Sequence, residues 1–321
     1  MIKIFIYNLI KYPFILIFLK TPLVNLLKKR FTYYPTYKKN IISRSLQKLF
    51  QNEYFNILTN KKEIRWITDN ALGEGRGKKW AEYYYNQHFK NLYTLKNKKC
   101  GLLMANEATP IFEKIIDFIK KNNLEKNNDL YIIQLGSSSG RDLEFFYNVF
   151  PKLNYISTDV NDEILKFQKK KYKYKNFYFA KCYAEDIDQI IDKLNIYKKN
   201  IILFACGSLQ YVNPVFLEEF FQKIAKYKNL NLFLNEPVSL TFFERNKSFF
   251  QRKRILSANR GNISFTHNYY QYNNKYNKKS KVVEKKIIKP YAKDDPSHRD
   301  TGHYYMHINN NFLDIHHSRR I

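Results

Sequence analysis

The chain has 321 residues, of which 44% are hydrophobic, and its 56 lysines and arginines against 28 acidic residues give a formal net charge of +28. This much apolar sequence excludes a globally disordered chain. The three cysteines, Cys100, Cys182 and Cys206, are odd in number and far apart, which excludes a disulfide framework and fits a cytoplasmic location.

The positive charge would suit a polyanionic partner, either an anionic membrane or a nucleic acid. The lysines are spread along the whole chain, however, and there is no zinc-finger, helix-turn-helix or RNP signature. We therefore interpret the charge as compositional drift combined with attraction to a membrane surface, and we favour this interpretation over nucleic-acid binding.

Residues 1–30 are apolar and aromatic but are interrupted by lysines. The longest uncharged run, residues 12–19, is too short to span a bilayer. The pattern suits an amphipathic segment lying on the inner face of an anionic membrane, or equally a helix packed on the rest of the protein. Residues 31–125 are predicted to form a helical accessory region. It ends in an amphipathic helix at 108–121 that places four isoleucines on one face: Ile111, Ile115, Ile116 and Ile119.

Residues 126–321 alternate short apolar runs with helical stretches. The predicted strands are residues 130–135, 155–158, 177–180, 201–205, 230–234, 281–288 and 303–308. Apolar strands separated by helices predict a mostly parallel sheet covered on both faces, which right-handed crossovers make a Rossmann-like doubly wound α/β domain. Ligands of such sheets bind beyond the carboxyl ends of the strands.

The loop after the first strand is rich in small residues: Gly136, Ser137, Ser138 and Gly140. Small residues let the backbone turn sharply and approach a bound nucleoside or amino acid. The loop resembles the acid-x-Gly-x-Gly-x-Gly loop of class I S-adenosylmethionine-dependent methyltransferases. Gln134 stands in place of the usual acid, and Ser138 in place of the middle glycine.

Asp159 ends the second predicted strand, nineteen residues beyond Gly140. A carboxylate at this point can accept hydrogen bonds from both ribose hydroxyls of an adenosine. The alternative is a cap for the helix that begins near Asp162. The preceding loop favours ribose binding.

In the same family an acid after the third strand contacts the adenine amino group. Tyr183 occupies that position here and could stack on the base or bind it through a hydrogen bond. Glu185 or Asp186 could substitute for the acid, although either could equally cap a helix.

Gly207 follows the fourth strand and would allow close approach to the methionine part of the cofactor or to the acceptor. Residues 207–212, which read GSLQYV, are similar to bacterial sugar O-methyltransferases associated with surface-polysaccharide synthesis. The resemblance covers about residues 105–310. It implies S-adenosyl-L-methionine as cofactor and a sugar or other small acceptor, lipid-linked or nucleotide-linked.

Six of the seven histidines lie after residue 260. An O-methyltransferase benefits from a base that removes the hydroxyl proton, and His267 is our candidate. His303 and His307 could share one face of the last strand. No cysteine or carboxylate at a suitable spacing supports them, so we predict no metal site.

Two alternatives stay open at this stage. Residues 136–140 also match the G-x-S-x-G turn of α/β-hydrolases, with Ser138 as nucleophile and a later histidine as base. No run of antiparallel strands and no HGGG-type motif precedes this turn. The second alternative is a non-catalytic, nucleoside-binding relic of the methyltransferase fold, because Gln134, Ser138 and Tyr183 depart from the family pattern.

Overall fold

The computed structural model describes residues 105–126, 128–239, 257–261, 264–288 and 301–310, with short helical pieces at 61–62, 64–65, 68–69, 81–82 and 85. The segment 1–30 and most of the accessory region 31–125 lie outside these residues, so the roles predicted for them stay predictions. Among the residues described, no helix combines the length and the apolar character needed to cross a membrane.

The chain divides into two compact units. One consists of Met1–Glu74 and Asn259–Ile263, and the other of Gly75–Ala258 and Ser264–Ile321. In the first unit Ile64 is fully buried, and its carbonyl accepts a hydrogen bond from the Thr68 hydroxyl at 2.9 Å. The second unit contains the sheet. The domain boundaries predicted after residues 30 and 125 stay predictions.

Helices and strands alternate along the described part of the chain. The helices are α1 (Ala105–Lys121), α2 (Arg141–Val149), α3 (Asp162–Lys171), α4 (Ile187–Lys193), α5 (Pro214–Ile224) and α6 (Tyr269–Tyr276). The strands are β1 (Leu130–Leu135), β2 (Asn154–Asp159), β3 (Phe177–Lys181), β4 (Asn200–Cys206), β5 (Leu230–Ser239), β6 (Ser257–Gly261), β7 (Ser264–His267), β8 (Lys281–Ile288) and β9 (Thr301–Asn309). Two 3₁₀ turns lie at Ala184–Asp186 and Leu209–Tyr211.

Seven strands form one sheet in the order β3-β2-β1-β4-β5-β9-β8. Strands β1 to β5 are parallel, and β9 is antiparallel to both of its neighbours, so that β8 again runs parallel to β5. The predicted Rossmann-like, mostly parallel sheet is confirmed. Strand order reverses beside β1, which has β2 on one side and β4 on the other, and this reversal places a ligand crevice at the carboxyl ends of these strands.

The sheet has a hydrophobic core on each face because side chains alternate along a strand. Ile133 and Leu203 belong to the core shared with α4, α5 and α6, whereas Ile132 and Phe204 belong to the core shared with α1 and α2. The four isoleucines predicted to face inward from α1 are all at most 3% exposed, which confirms that helix face.

Strands β6 and β7 and helix α6 were not predicted. They are rich in Asn, Tyr and Ser and have no apolar period that would reveal them. Helix α6 is stabilised by the side chain of Asn268, which accepts a hydrogen bond from the Gln271 N–H, and by burial of Tyr269 and Tyr272.

Candidate active site

The loop between β1 and α2 has three residues in the left-handed region, with φ of +64° at Gly136, +47° at Ser138 and +76° at Gly140. A Cβ at Gly136 would lie 2.5 Å from the Cβ of Ser208, and one at Gly140 would lie 2.6 Å from Cε2 of Tyr172. Glycine is therefore required at both positions by backbone conformation and by space.

Helix α3 and the residue after it hold this loop. The Gln168 side-chain amide donates to the Ser138 carbonyl at 2.6 Å and to Ser137 Oγ at 2.9 Å. The Tyr172 hydroxyl donates to the Ser139 carbonyl at 2.9 Å. The side chain of Ser137 is thus engaged inside the protein, its N–H donates to the Thr158 carbonyl at 2.9 Å, and its carbonyl accepts the Gly140 N–H at 2.8 Å. The cofactor contact predicted for Ser137 stays a prediction. No sequence signal pointed to Gln168 or Tyr172, because these contacts join residues about thirty positions apart.

Asp159 lies at the end of β2 and is 6% exposed. Its Oδ2 accepts from the Ser138 N–H at 3.1 Å, and its Oδ1 accepts from the Asn161 N–H at 3.0 Å. Burial raises the pKa of this carboxyl to about 6, against the opposing effect of the backbone hydrogen bonds. The backbone of Val160 also donates to this carboxylate, which offers about four acceptor positions, so acceptor capacity remains after these three bonds. The structure therefore brings the predicted loop and the predicted acid together.

Gln134, near the end of β1, has a side chain that is 2% exposed. Its amide donates to Asp142 Oδ2 at 2.7 Å, while its Oε1 has no hydrogen-bond partner within the described residues. Burial raises the pKa of Asp142 to about 6. A carboxyl group therefore lies beside the loop even though position 134 is not acidic.

The turn after β4 is fixed by the fully buried Glu236 at the far end of β5. Its two carboxylate oxygens accept from the backbone N–H groups of Ser208, Leu209 and Gln210 at 3.1–3.2 Å. The Ser208 hydroxyl donates to the Leu135 carbonyl at 2.8 Å and ties this turn to β1. The bracing role of Glu236 is a long-range feature that the sequence alone did not reveal.

Gly207, at the start of the same turn, has a φ of +71°. A Cβ there would be in ordinary van der Waals contact with Gln210 Nε2 at 3.8 Å, so a small side chain would fit at this position. Tyr183 and Glu185 lie in the loop after β3, where Tyr183 is half-buried and Glu185 is 2% exposed. The Glu185 carbonyl accepts from Lys223 Nζ at 2.5 Å. The adenine contacts predicted for Tyr183 and Glu185 stay predictions.

His267 is fully buried at the end of β7. Its Nδ1 lies 2.6 Å from Ser257 Oγ, which in turn lies 2.7 Å from the Tyr272 hydroxyl. Burial lowers the pKa of His267 to about 3, although hydrogen bonding to the backbone at Val212 and Leu209 opposes the shift. A group with so low a pKa is a weak proton acceptor at neutral pH, so this environment argues against the predicted role as catalytic base.

The hydrolase alternative requires a histidine beside Ser138. The structure records no hydrogen bond between Ser138 and any described histidine. His307 stacks on Phe233 at 4.0 Å, and His303 lies opposite Pro237 in the sheet. The part of the chain that is described also holds no group of three or more metal-binding side chains.

No protein-family model matches this chain, and no curated protein matches it. Solved structures with a similar chain path include a SAM-dependent methyltransferase from Anabaena variabilis, with 15% identity, a TM-score of 0.45 and coverage of 73% of this chain and 95% of that one. Coclaurine N-methyltransferase is similar at 8% identity and a TM-score of 0.45, covering 88% of this chain and 91% of that one. Geranyl diphosphate C-methyltransferase from Streptomyces coelicolor is similar at 9% identity and a TM-score of 0.41, covering 62% of this chain and 76% of that one. Likeness of this degree leaves the function to be argued from the site.

Proposed function

We propose that the protein is an S-adenosyl-L-methionine-dependent methyltransferase. The observation that carries this proposal is the buried carboxylate of Asp159, which accepts the Ser138 N–H at 3.1 Å beside the switch point of a parallel sheet. A buried carboxylate is costly unless a ligand or a fixed partner makes use of it. Its remaining acceptor capacity suits a vicinal diol such as that of a ribose.

The residues at this edge of the sheet fit the other parts of the cofactor. Gly207 has no side chain, and a Cβ there would lie no closer than 3.8 Å to Gln210 Nε2, which suits close approach of a ligand to its backbone. The unpartnered Oε1 of Gln134, with the Asp142 carboxyl next to it, suits the ammonium group of an amino acid. Together with Asp159, these groups would bind the ribose and the methionine part of one ligand.

When bound, the cofactor supplies an electrophilic methyl group on a sulfonium. The protein's own contribution is orientation, because the loop after β1 is held by Gln168 and Tyr172, and the turn after β4 is held by Glu236. Holding two reactants in line accounts for a large part of such a rate enhancement. The mechanism can therefore operate without His267 as a base.

We further propose that the acceptor is a hydroxyl of a glycan or of another small molecule, lipid-linked or nucleotide-linked, in surface-polysaccharide synthesis. Residues 207–212 support this through their similarity to sugar O-methyltransferases. The loops after β1 to β4 contain no lysine or arginine, which favours a neutral hydroxyl over a phosphate at this part of the site.

The test is calorimetric titration of the full-length protein with S-adenosyl-L-homocysteine, followed by radiolabelled methyl transfer to a panel of glycans, amines and phenols. We expect binding in the micromolar range and labelling of a glycan hydroxyl. Absence of binding at millimolar ligand would refute the methyltransferase proposal. Binding without transfer to any acceptor would support the non-catalytic relic, and labelling of amines alone would refute the glycan acceptor.

A further inference from the structure

The edge of the sheet opposite the candidate active site is formed by the loops that precede the six mutually parallel strands. We call these loops the amino edge. They are residues 122–129, 150–153, 172–176, 194–199, 225–229 and 277–280, which lead into β1, β2, β3, β4, β5 and β8. Because parallel strands begin at one edge and end at the other, these loops lie side by side and away from the carboxyl ends.

Charge differs sharply between the loops before and after β1 to β4. Of the ten lysines of the amino edge, six lie in the four loops before these strands, together with two acidic residues, whereas the four loops after the same strands (136–140, 160–161, 182–186 and 207–213) contain no basic residue and two acidic ones. Compositional drift toward lysine would affect both sets of loops alike. The asymmetry therefore indicates a specific role for the amino edge.

Most of these lysines are exposed and available to a partner. Lys199, which is half-buried, pairs with Asp129 at 2.7 Å. The nine others are exposed: Lys126, Lys152, Lys173, Lys175, Lys198, Lys226, Lys228, Lys278 and Lys279.

Asparagine side chains connect the loops into one continuous surface. Each of three donates to a carbonyl of the neighbouring loop: Asn154 to Asn128 at 2.7 Å, Asn176 to Pro151 at 3.0 Å, and Asn229 to Lys198 at 3.2 Å. In addition, the Asn200 N–H donates to the Asp129 carbonyl at 3.2 Å and joins the loops before β4 and β1. The lysines are thus carried on a braced backbone, so their spacing is fixed before a partner arrives.

We propose that the amino edge docks the protein on an anionic lipid bilayer. The six loops contain no arginine, the residue whose planar fork binds nucleic-acid phosphates and base edges. Hydrated lysine point charges instead suit the diffuse potential of anionic headgroups. Tyr197 is 45% exposed, with Lys198 Nζ 5.7 Å from its ring centroid, and an exposed tyrosine beside lysines is typical of a membrane interface.

This orientation turns the carboxyl ends of the strands, with Asp159 and Gly207, away from the lipid surface. The bilayer would concentrate the protein at the membrane while the candidate site stays open to the aqueous phase. Docking by the amino edge therefore favours a nucleotide-linked acceptor, which reaches the site from the aqueous phase, over a lipid-linked one.

The experiment is co-sedimentation of the full-length protein with vesicles of phosphatidylcholine and phosphatidylglycerol at 7:3, and with pure phosphatidylcholine, at 0.1 M salt. The test variant combines Lys152→Gln, Lys173→Gln and Lys226→Gln, taken from three loops. The matched control combines Lys166→Gln, Lys181→Gln and Lys285→Gln, which remove the same charge from exposed positions outside the amino edge.

We expect binding only to the anionic vesicles. Each lysine near such a surface changes the binding constant about fivefold, so the test variant should bind about a hundredfold more weakly and the control within about fivefold of wild type. Equal loss in both variants would show diffuse attraction and overturn the proposal. Full binding by the test variant would also overturn it, as would binding to duplex RNA in preference to vesicles at the same salt.

Discussion

The replacement Asp159→Asn tests the centre of the candidate site with little change in shape. The carboxylate accepts the Ser138 and Asn161 N–H groups, and the proposed ribose would use its remaining acceptor positions. A hydrogen bond to a charged group contributes about 2 kcal/mol, so losing one weakens S-adenosyl-L-homocysteine binding about thirtyfold. Loss of both ribose bonds would weaken it roughly a thousandfold.

The same replacement should leave the folded state nearly as stable as wild type. Burial raises the pKa of Asp159 from 3.8 to about 6, which corresponds to about 3 kcal/mol against the charged form. Asparagine removes that penalty but leaves one N–H without its acceptor, at about 2 kcal/mol. We expect urea unfolding at pH 7.5 to give a free energy of unfolding within about 1–2 kcal/mol of wild type.

The matched control is Asp162→Asn, three residues later, where the exposed carboxylate pairs with Lys181 at 2.7 Å. This exposed ion pair contributes little, so the control should bind S-adenosyl-L-homocysteine as wild type does. Calorimetry measures the affinity of both variants for S-adenosyl-L-homocysteine and so tests the ribose assignment. If Asp159→Asn binds within threefold of wild type, the ribose assignment is wrong.

Three further predictions concern the same region. Gly136→Ala should lower the free energy of unfolding by more than about 2 kcal/mol, because the new Cβ would lie 2.5 Å from the Cβ of Ser208. Gly207→Ala should lower it by only about 1 kcal/mol, the cost of the left-handed backbone conformation. Equal losses for the two variants in urea titrations would contradict this prediction. Binding of S-adenosyl-L-homocysteine should weaken as pH falls through about 6, because Asp159 is then protonated in the free protein and must lose this proton before it binds the ribose. The affinity at pH 5 should be about a tenth of that at pH 8. An affinity that does not change with pH in calorimetry of the wild type would refute this assignment. His267→Asn should destabilise the fold by about 2 kcal/mol and leave the pH profile of methyl transfer unchanged; lost transfer in a fully stable variant would restore the histidine as the base.

Much of the fold could be predicted because the central strands of the sheet are buried on both faces and therefore read as continuous apolar runs, as at 130–135 and 201–205. The small-residue loop and the acid at Asp159 were also predictable, since backbone conformation and position at a strand end restrict the residue types there. Each of these signals is contained in a few residues that are neighbours in the sequence.

The side chains that hold the loops of the site in place were not predictable. Gln168, Tyr172 and Glu236 act on backbone groups 26 to 33 residues away, through contacts that exist only after the sheet has formed. The expected role of His267 rested on its residue type and position, but the pKa of an imidazole depends on burial, which a sequence pattern does not specify.

Glu236 has a consequence for adaptability. The carboxylate of Glu236 accepts three successive N–H groups of the turn after β4, those of Ser208, Leu209 and Gln210. That turn is therefore ordered on folding and has little conformational entropy left to lose when a small molecule binds. The residues that contact the acceptor could therefore change during evolution while Glu236 keeps the backbone of this turn in the same position.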